Sequence, residues 1–241
     1  MKFGLFAINY GTYADPDVAV EIAQRAEQAG FESVWSGEHV VLPDPAPPGF
    51  SISPSLPLLD TTVALTLVAA HTSTIKIGSG IIVLPLRNPV ILAKELASID
   101  VVSRGRLIAG FAAGYIPQEF ASAGVPMADR GARTEDYIRA LRALWSMDSP
   151  RYHGRFVSFE GIQAQPRPVR RPGPPVVLGG EAPAVLRRAV TMADGWYGFN
   201  LDLAQARRLT GALRQAERQH DRPGDRIMRN IDKTAEELIA A

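Results

Sequence analysis

The sequence predicts an α/β protein of the (β/α)8 TIM-barrel type, formed by a single domain over residues 1–241. Short apolar runs that suit buried strands alternate with helical patterns, which indicates βαβ units and a parallel sheet. That alternation also permits a doubly wound sheet, but the number of units favours the barrel. The length of 241 residues is close to the ~250 residues of one such barrel.

The first unit has clear signals at both ends of its helix. Residues 2–9 form an apolar run typical of a buried strand. Asp15 and Pro16 predict a helix start, because an N-cap carboxylate accepts hydrogen bonds from free amides and proline fits the first helical position. Gly30 ends the helix, and residues 33–35 are predicted as the second strand.

A proline-rich loop separates the second and third strands. Residues 42–57 exclude regular structure and suit a lid over a site. Asp60 begins a helix to about residue 73, and residues 75–84 are the third strand. Gly78 and Gly80 inside this strand indicate a bulge or close contact with a ligand, or packing that needs small residues.

The middle of the chain continues the alternation. Asn88 and Pro89 begin a helix that ends near residue 103, and residues 107–111 are the fourth strand. Residues 134–145 are predicted as an amphipathic helix.

A hairpin predicted over residues 151–165 interrupts the rhythm and is expected to help shape a substrate pocket. Seven strands are predicted where a closed barrel needs eight, so the last βα unit is expected to be missing. The remaining predicted elements are a strand at 176–178, a helix at 183–193, a strand at 195–199, a helix at 203–219, a weak strand at 226–228 and a helix from 234.

Composition excludes several functions. The net charge of +1 gives no field that favours nucleic acid or an anionic membrane. The absence of cysteine removes thiolate metal sites, and no His, Asp and Glu set has metal-ligand spacing. No apolar stretch reaches the ~20 residues of a membrane span, and the N-terminal apolar run is too short for a signal peptide. We expect a cytoplasmic protein that acts on a small molecule.

Gly179, Gly180 and Glu181 lie between a predicted strand and the helix that begins at Pro183. Glycines let the backbone approach a ligand closely, and free amides at a helix N-terminus attract anions. This predicts a phosphate site, with a plain tight turn as the alternative.

His39 directly follows the second strand, together with Glu38. Catalytic groups of β/α barrels lie at this rim, and histidine transfers protons near neutral pH. The alternative is a structural histidine held by the proline-rich loop.

Small residues follow the fourth strand. Ala112, Gly114 and neighbouring Tyr115 could form the floor for a flat ring, but the spacing of a dinucleotide fingerprint is absent. Residues 129–133 are predicted as a solvated turn, and the alternative is that an arginine there reaches an anionic tail.

Taken together, these segments resemble the bacterial-luciferase-like superfamily, specifically its branch that uses the deazaflavin coenzyme F420. The similar stretches occur in the family's order over roughly the first 200 residues. They are Lys2 to Phe6, Gly30 to His39, Ile77 to Pro89, Asp100 to Phe120, and Gly179 to Trp196.

The resemblance implies a role for each candidate residue. His39 matches a histidine beside the ring that often transfers a proton. Gly80 and Ile81 match a bulge, frequently a non-proline cis peptide, that supports the back of the ring. Residues 179–181 match the cradle of the cofactor phosphate. The family's glutamate after the fourth strand is not transferred, because Tyr115 stands near that place.

The resemblance implies a homodimer and a hydride-transferring oxidoreductase that uses F420. A monooxygenase that uses reduced FMN and dioxygen is the alternative on the same barrel. A non-catalytic flavin-binding protein is a third interpretation, because an incomplete barrel could bind a ligand without a full substrate pocket.

Overall fold

The computed structural model describes residues 2–50 and 52–220 and the backbone of 228–231. Its strands are β1 (Gly4–Phe6), β2 (Ser33–Ser36), β3 (Lys76–Ser79), β4 (Ile82–Val83), β5 (Leu107–Ala112), β6 (Tyr152–His153), β7 (Ser158–Phe159), β8 (Val176–Gly179), β9 (Gly195–Gly198) and β10 (Met228–Ile231). Its helices are α1 (Pro16–Gln28), α2 (Thr61–His71), α3 (Pro89–Val102), α4 (Pro117–Ser122), α5 (Arg130–Ser146), α6 (Pro183–Met192) and α7 (Leu203–Gln219).

The sheet is parallel throughout and runs β1-β2-β3-β5-β8-β9-β10, with β4 beside β5. It curls into a half-barrel, which confirms the predicted barrel-type α/β fold. Within the described residues, β1 pairs only with β2 and β10 only with β9, so the curl is open there.

The predicted helix starts are confirmed by their hydrogen bonds. Asp15, Asp60 and Asn88 each accept from the backbone amides two and three residues ahead, at 2.8–3.3 Å. Gly30 has a φ of +80° just after α1, the left-handed conformation that ends helices. Local chemistry therefore sets these boundaries.

Two predicted elements are corrected by the structure. The strand predicted over 75–84 is divided, because Gly80 and Ile81 interrupt it between β3 and β4 and are joined by a cis peptide. The turn predicted over 129–133 is mostly the first turn of α5, whose charged residues hide the helical pattern.

Two further predictions concern the end of the chain. The weak strand predicted at 226–228 is observed at Met228–Ile231, in register with β9. The helix predicted from residue 234 lies outside the described residues.

Buried side chains fill both sides of the sheet. The larger cluster lies between the sheet and its helices and includes Trp145 and Trp196. A smaller cluster lies inside the curl, where a Cβ on Gly78 would overlap the ring of Trp35. Gly78 is therefore explained by packing.

The inserted hairpin is confirmed as the antiparallel pair β6–β7. Asp136 of α5 anchors it by accepting from the Tyr152 hydroxyl at 2.6 Å and from the Phe156 amide at 2.8 Å. None of the helices within the described residues is long and apolar enough to cross a membrane.

Candidate functional site

A cavity of about 600 Å³ opens at the carboxyl ends of the parallel strands. It is lined by every site residue that the sequence predicted: His39, Gly80, Ile81, Ala112, Gly114, Tyr115, Gly179, Gly180 and Glu181. The lining residues that the sequence reasoning did not select include Phe6, Tyr10, Val83, Arg188, Tyr197 and Phe199.

One end of the cavity is formed by the turn between β8 and α6. Gly180 has a φ of +126°, which favours glycine, and the residue before α6 provides no side-chain cap for the helix. In the first turn of this ten-residue helix, the amide of Ala184 remains available to an anion, because Pro183 has no N–H and the Val185 amide donates to the Ala182 carbonyl oxygen at 2.8 Å. These properties fit a phosphate group.

Arg130 lines the same cavity and could meet an anionic tail. Its Nη1 donates to the carbonyl oxygen of Met127 at 3.1 Å, and within the described part of the chain it has no carboxylate partner. Its neighbour Gly131 packs against Arg188 of α6, since a Cβ there would lie 2.8 Å from Nη2. The backbone next to Arg130 therefore lies beside α6, on the α6 side of the cavity.

A wall of small and apolar groups runs along the middle of the cavity. A Cβ on Gly80 would lie 3.0 Å from the Tyr197 ring, and one on Gly179 would lie 3.1 Å from Ile81 Cγ2. Gly114 has a φ of +80°. Larger residues would narrow this space, so the wall fits a flat ring.

His39 lies against a buried carboxylate. Its Nδ1 is 3.4 Å from Oε1 of Glu119, and the two side chains are 9% and 1% exposed. The same oxygen accepts from the Val40 amide at 2.9 Å. With Nδ1 turned to Glu119, Nε2 is the imidazole nitrogen available to a ligand in the cavity.

Glu119 was missed by the sequence reasoning. It lies in α4, a helix of six residues that is too short to show periodicity. The available signal was Pro117, which marks a helix start just beyond the rim of β5.

Glu38 is buried beside His39 and has its own partners. Its Oε2 accepts from the Val83 amide at 2.6 Å, and its Oε1 pairs with Arg87, which also pairs with Asp60. Burial raises the pKa of Glu38, whereas Arg87 and the Val83 amide oppose that rise.

Tyr10 adds a hydroxyl to the cavity, packed against the backbone of Gly37. Burial raises the pKa of Tyr10, and the nearby Tyr115 and Glu38 add to the rise. The phenol is therefore neutral at physiological pH.

The proline-rich loop and the inserted hairpin differ in their position relative to the cavity. Phe50, from the proline-rich loop, packs edge-on to His39 with ring centroids 6.1 Å apart. The hairpin residues do not line the cavity, because the hairpin is held against α5.

Comparison with known proteins reveals relatives. A family model described as "Luciferase-like monooxygenase" matches residues 1–233. An uncharacterized protein of Mycobacterium tuberculosis is 32% identical over 206 residues, covering 81% of this chain and 71% of that protein. The FMNH2-dependent dimethylsulfone monooxygenase of Pseudomonas putida is 31% identical over 80% of this chain, which spans about half (51%) of that protein.

Solved structures show the same fold. An F420-dependent secondary alcohol dehydrogenase, in complex with an F420–acetone adduct, superposes with a TM-score of 0.80. The match covers 95% of this chain and 68% of that chain at 20% identity, so it establishes the fold alone.

Replacing Arg87 tests the buried pair next to His39. Arg87→Met should lower the free energy of unfolding at pH 7.5 by about 3 kcal/mol, because it leaves Glu38 as a buried charge without its cation. In that variant the folded-state pKa of Glu38 lies above its unfolded value. The deficit relative to wild type should therefore shrink as the pH falls toward 5. Urea unfolding at both pH values measures this.

Two controls accompany the Arg87 experiment. The double variant Glu38→Gln with Arg87→Met should recover most of the loss. Arg25→Met, which removes an exposed pair with Glu21, should cost less than about 1 kcal/mol. A deficit in Arg87→Met that does not depend on pH would contradict the assignment.

Proposed function

The chain belongs to the luciferase-like monooxygenase family, and from this we propose that it is an oxidoreductase that transfers a hydride between F420 and a small organic substrate. Members of this family are oxidoreductases and monooxygenases. The observation that carries the proposal is the buried His39–Glu119 pair, which lies in the same cavity as the diglycine turn and the Gly80–Ile81 bulge.

The lining residues fit a deazaflavin. Its ring would lie against Ile81 and the small residues 112–114, and its phosphate would meet the turn at residues 179–181 and the Ala184 amide of α6. Arg130 would lie toward the anionic tail. When bound, the deazaflavin supplies or accepts the hydride.

His39 would move the accompanying proton. The carboxylate of Glu119 favours the tautomer whose Nδ1 carries a proton, which leaves Nε2 free to take a proton from a substrate hydroxyl. In the reverse direction, Nε2 returns that proton to the carbonyl oxygen. Glu119 also holds the orientation of the imidazole ring, and the edge of Phe50 packs against it.

A monooxygenase that uses reduced FMN is the second candidate. It is favoured by the 31% identity to an FMNH2-dependent enzyme. Both cofactors have a flat tricyclic ring and a ribityl phosphate, so the same turn and wall could hold either one.

Cofactor titration tests the proposal. Purified protein should bind F420 more tightly than FMN, and a quench of the fluorescence of each ring measures this. Dioxygen uptake with FMN and a flavin reductase should stay at background. Tight FMN binding without F420 binding would overturn the proposal in favour of the monooxygenase. F420 binding without any turnover would favour the non-catalytic interpretation.

Substitutions of His39 and Glu119 test proton transfer. His39→Ala should lower the turnover of F420H2 with neutral ketones by about 10²–10⁴-fold while F420 affinity is retained. Glu119→Gln should cause a smaller loss. It should also change the tautomer of His39, which ¹⁵N NMR of the imidazole detects. Wild-type turnover in His39→Ala, or an unchanged tautomer in Glu119→Gln, would contradict these roles.

We further propose that the chain forms a homodimer through α2 and α3. These neighbouring helices present apolar side chains to solvent, with Val63 57% and Ile91 59% exposed. Val101 and Val102 of α3 are also exposed. Apolar surface on two adjacent helices is typical of an interface.

Ile91→Glu should shift the protein from dimer to monomer, because it places a charge in an apolar interface. Light scattering after gel filtration at micromolar concentration measures the mass. Leu203→Glu is the matched control on α7, where Leu203 is 54% exposed, and it should leave the dimer intact. A wild-type monomer would contradict the proposal.

A further inference from the structure

Tyr10 lines the cavity and carries a hydroxyl that the proton transfer described above does not use. Its Oη occupies the space that a side chain at Gly37 would need, since a Cβ there would overlap that oxygen. Gly37 precedes His39 by two residues, which places their Cα atoms within about 7 Å of each other. The phenol therefore packs against the same short segment that carries the imidazole.

The backbone of Gly37 is fixed by two buried side chains. The Asn9 side-chain amide donates to the Gly37 carbonyl oxygen at 2.9 Å, and its Oδ1 accepts from the Gly37 amide at 3.0 Å. The Thr61 hydroxyl donates to the same carbonyl oxygen at 2.6 Å. Asn9 and Thr61 are both 0% exposed. Asn9 therefore joins this backbone directly to its own neighbour, Tyr10.

The chain on both sides of Tyr10 is constrained as well. Ala7 has a φ of +67°, which is uncommon for a residue other than glycine and persists where the surrounding structure enforces it. The ring of Phe6 packs edge-on to that of Tyr10, with centroids 5.8 Å apart. Tyr10 also forms a β-bridge with Leu58, at the end of the proline-rich loop. The position of the hydroxyl is therefore set before any ligand binds, as an effective donor in a site requires.

The Tyr10 hydroxyl is a donor that faces a ligand space. No residue in the described part of the chain forms a hydrogen bond with its Oη. Burial raises the pKa of Tyr10, and Tyr115 and Glu119 add to the rise, so the phenol keeps its proton. Both of these residues also contact His39, at 6.3 Å between ring centroids and at 3.4 Å from Nδ1 respectively. The hydroxyl and the imidazole therefore share one set of neighbours.

The strand order places Tyr10 at the end of the cavity away from the diglycine turn. Tyr10 follows β1, and His39 follows the adjacent β2, whereas the diglycine turn follows β8, three places further along the sheet. The Gly80–Ile81 bulge, which the proposed function assigns to the ring, follows β3 between them. The phenol therefore lies on the His39 side of the ring, where the substrate would bind.

We propose that Tyr10 is a second catalytic residue, whose hydroxyl donates a hydrogen bond to the substrate oxygen at which His39 exchanges a proton. This inference rests on the function proposed above. In the reduction, a hydride leaves reduced F420 with its bonding electrons and bonds to the carbonyl carbon. The carbonyl oxygen takes the proton of Nε2 of His39, and an alcohol and oxidised F420 result. Tyr10 keeps its own proton and stabilises the negative charge that develops on that oxygen.

Tyr10→Phe removes the hydroxyl and retains the ring. It should lower kcat for the oxidation of F420H2 by cyclohexanone by about 10²–10³-fold, because the donor acts on charge that develops in the transition state. KM for the ketone should change by less than about tenfold. Tyr13→Phe is the matched control, since Tyr13 is 37% exposed and does not line the cavity, and it should keep the wild-type kcat. A wild-type kcat in Tyr10→Phe would overturn the proposal.

A second measurement needs neither turnover nor cofactor. The ¹³C resonance of carbonyl-labelled cyclohexanone moves downfield when its oxygen accepts a hydrogen bond. For the ketone bound to the wild-type protein, this resonance should lie downfield of its position in Tyr10→Phe. Tyr13→Phe should match the wild type. Equal shifts in the wild type and Tyr10→Phe would overturn the proposal, as would the absence of ketone binding.

The two proposals fail in distinguishable ways. No F420H2 turnover in any variant, with the difference in ¹³C shift retained, would contradict the proposed function alone. Turnover that survives Tyr10→Phe, together with equal ¹³C shifts, would contradict only the role of Tyr10.

Discussion

The candidate site depends on the buried carboxylate of Glu38, whose side chain is only 2% exposed. A charge at such depth requires a cation and hydrogen-bond donors. Arg87 and the Val83 amide provide them, and Arg87 also reaches Asp60 at the start of α2. This cluster joins the end of β2, the segment after the Gly80–Ile81 bulge and the first turn of α2. The position of His39, one residue after Glu38, follows from it.

The cavity has two chemically different ends. At the His39 end, a buried carboxylate and a neutral phenol surround a group that can hold a proton. At the α6 end, the diglycine turn, the Ala184 amide and an arginine favour an anion. A cofactor with a neutral ring and an anionic tail has the same polarity along its length. The chain's own residues can then be limited to binding, orientation and proton transfer, while the cofactor carries the electrons.

The relatives use both F420 and reduced FMN, and the geometry gives a physical reason. In the proposed function, the turn at residues 179–181 would hold a phosphate and the wall at Ile81 would support a flat ring, and both cofactors contain these parts. In the proposed function, the choice between them would depend on what surrounds the ring and the tail, near His39, Glu119 and Arg130.

The sequence by itself determined the α/β class, the order of the strands, the starts of α1, α2 and α3, and the residues at the strand ends. These depend on local chemistry: N-cap carboxylates, prolines at first helical positions and glycines with positive φ. Only the tertiary structure decided which of the residues at the strand ends contact one another and which partners they have. Glu119 reaches the backbone 79 residues away, and Arg87 reaches Glu38 across 49 residues. No local pattern encodes such pairs, because they form only when the parallel strands bring their carboxyl ends to one rim.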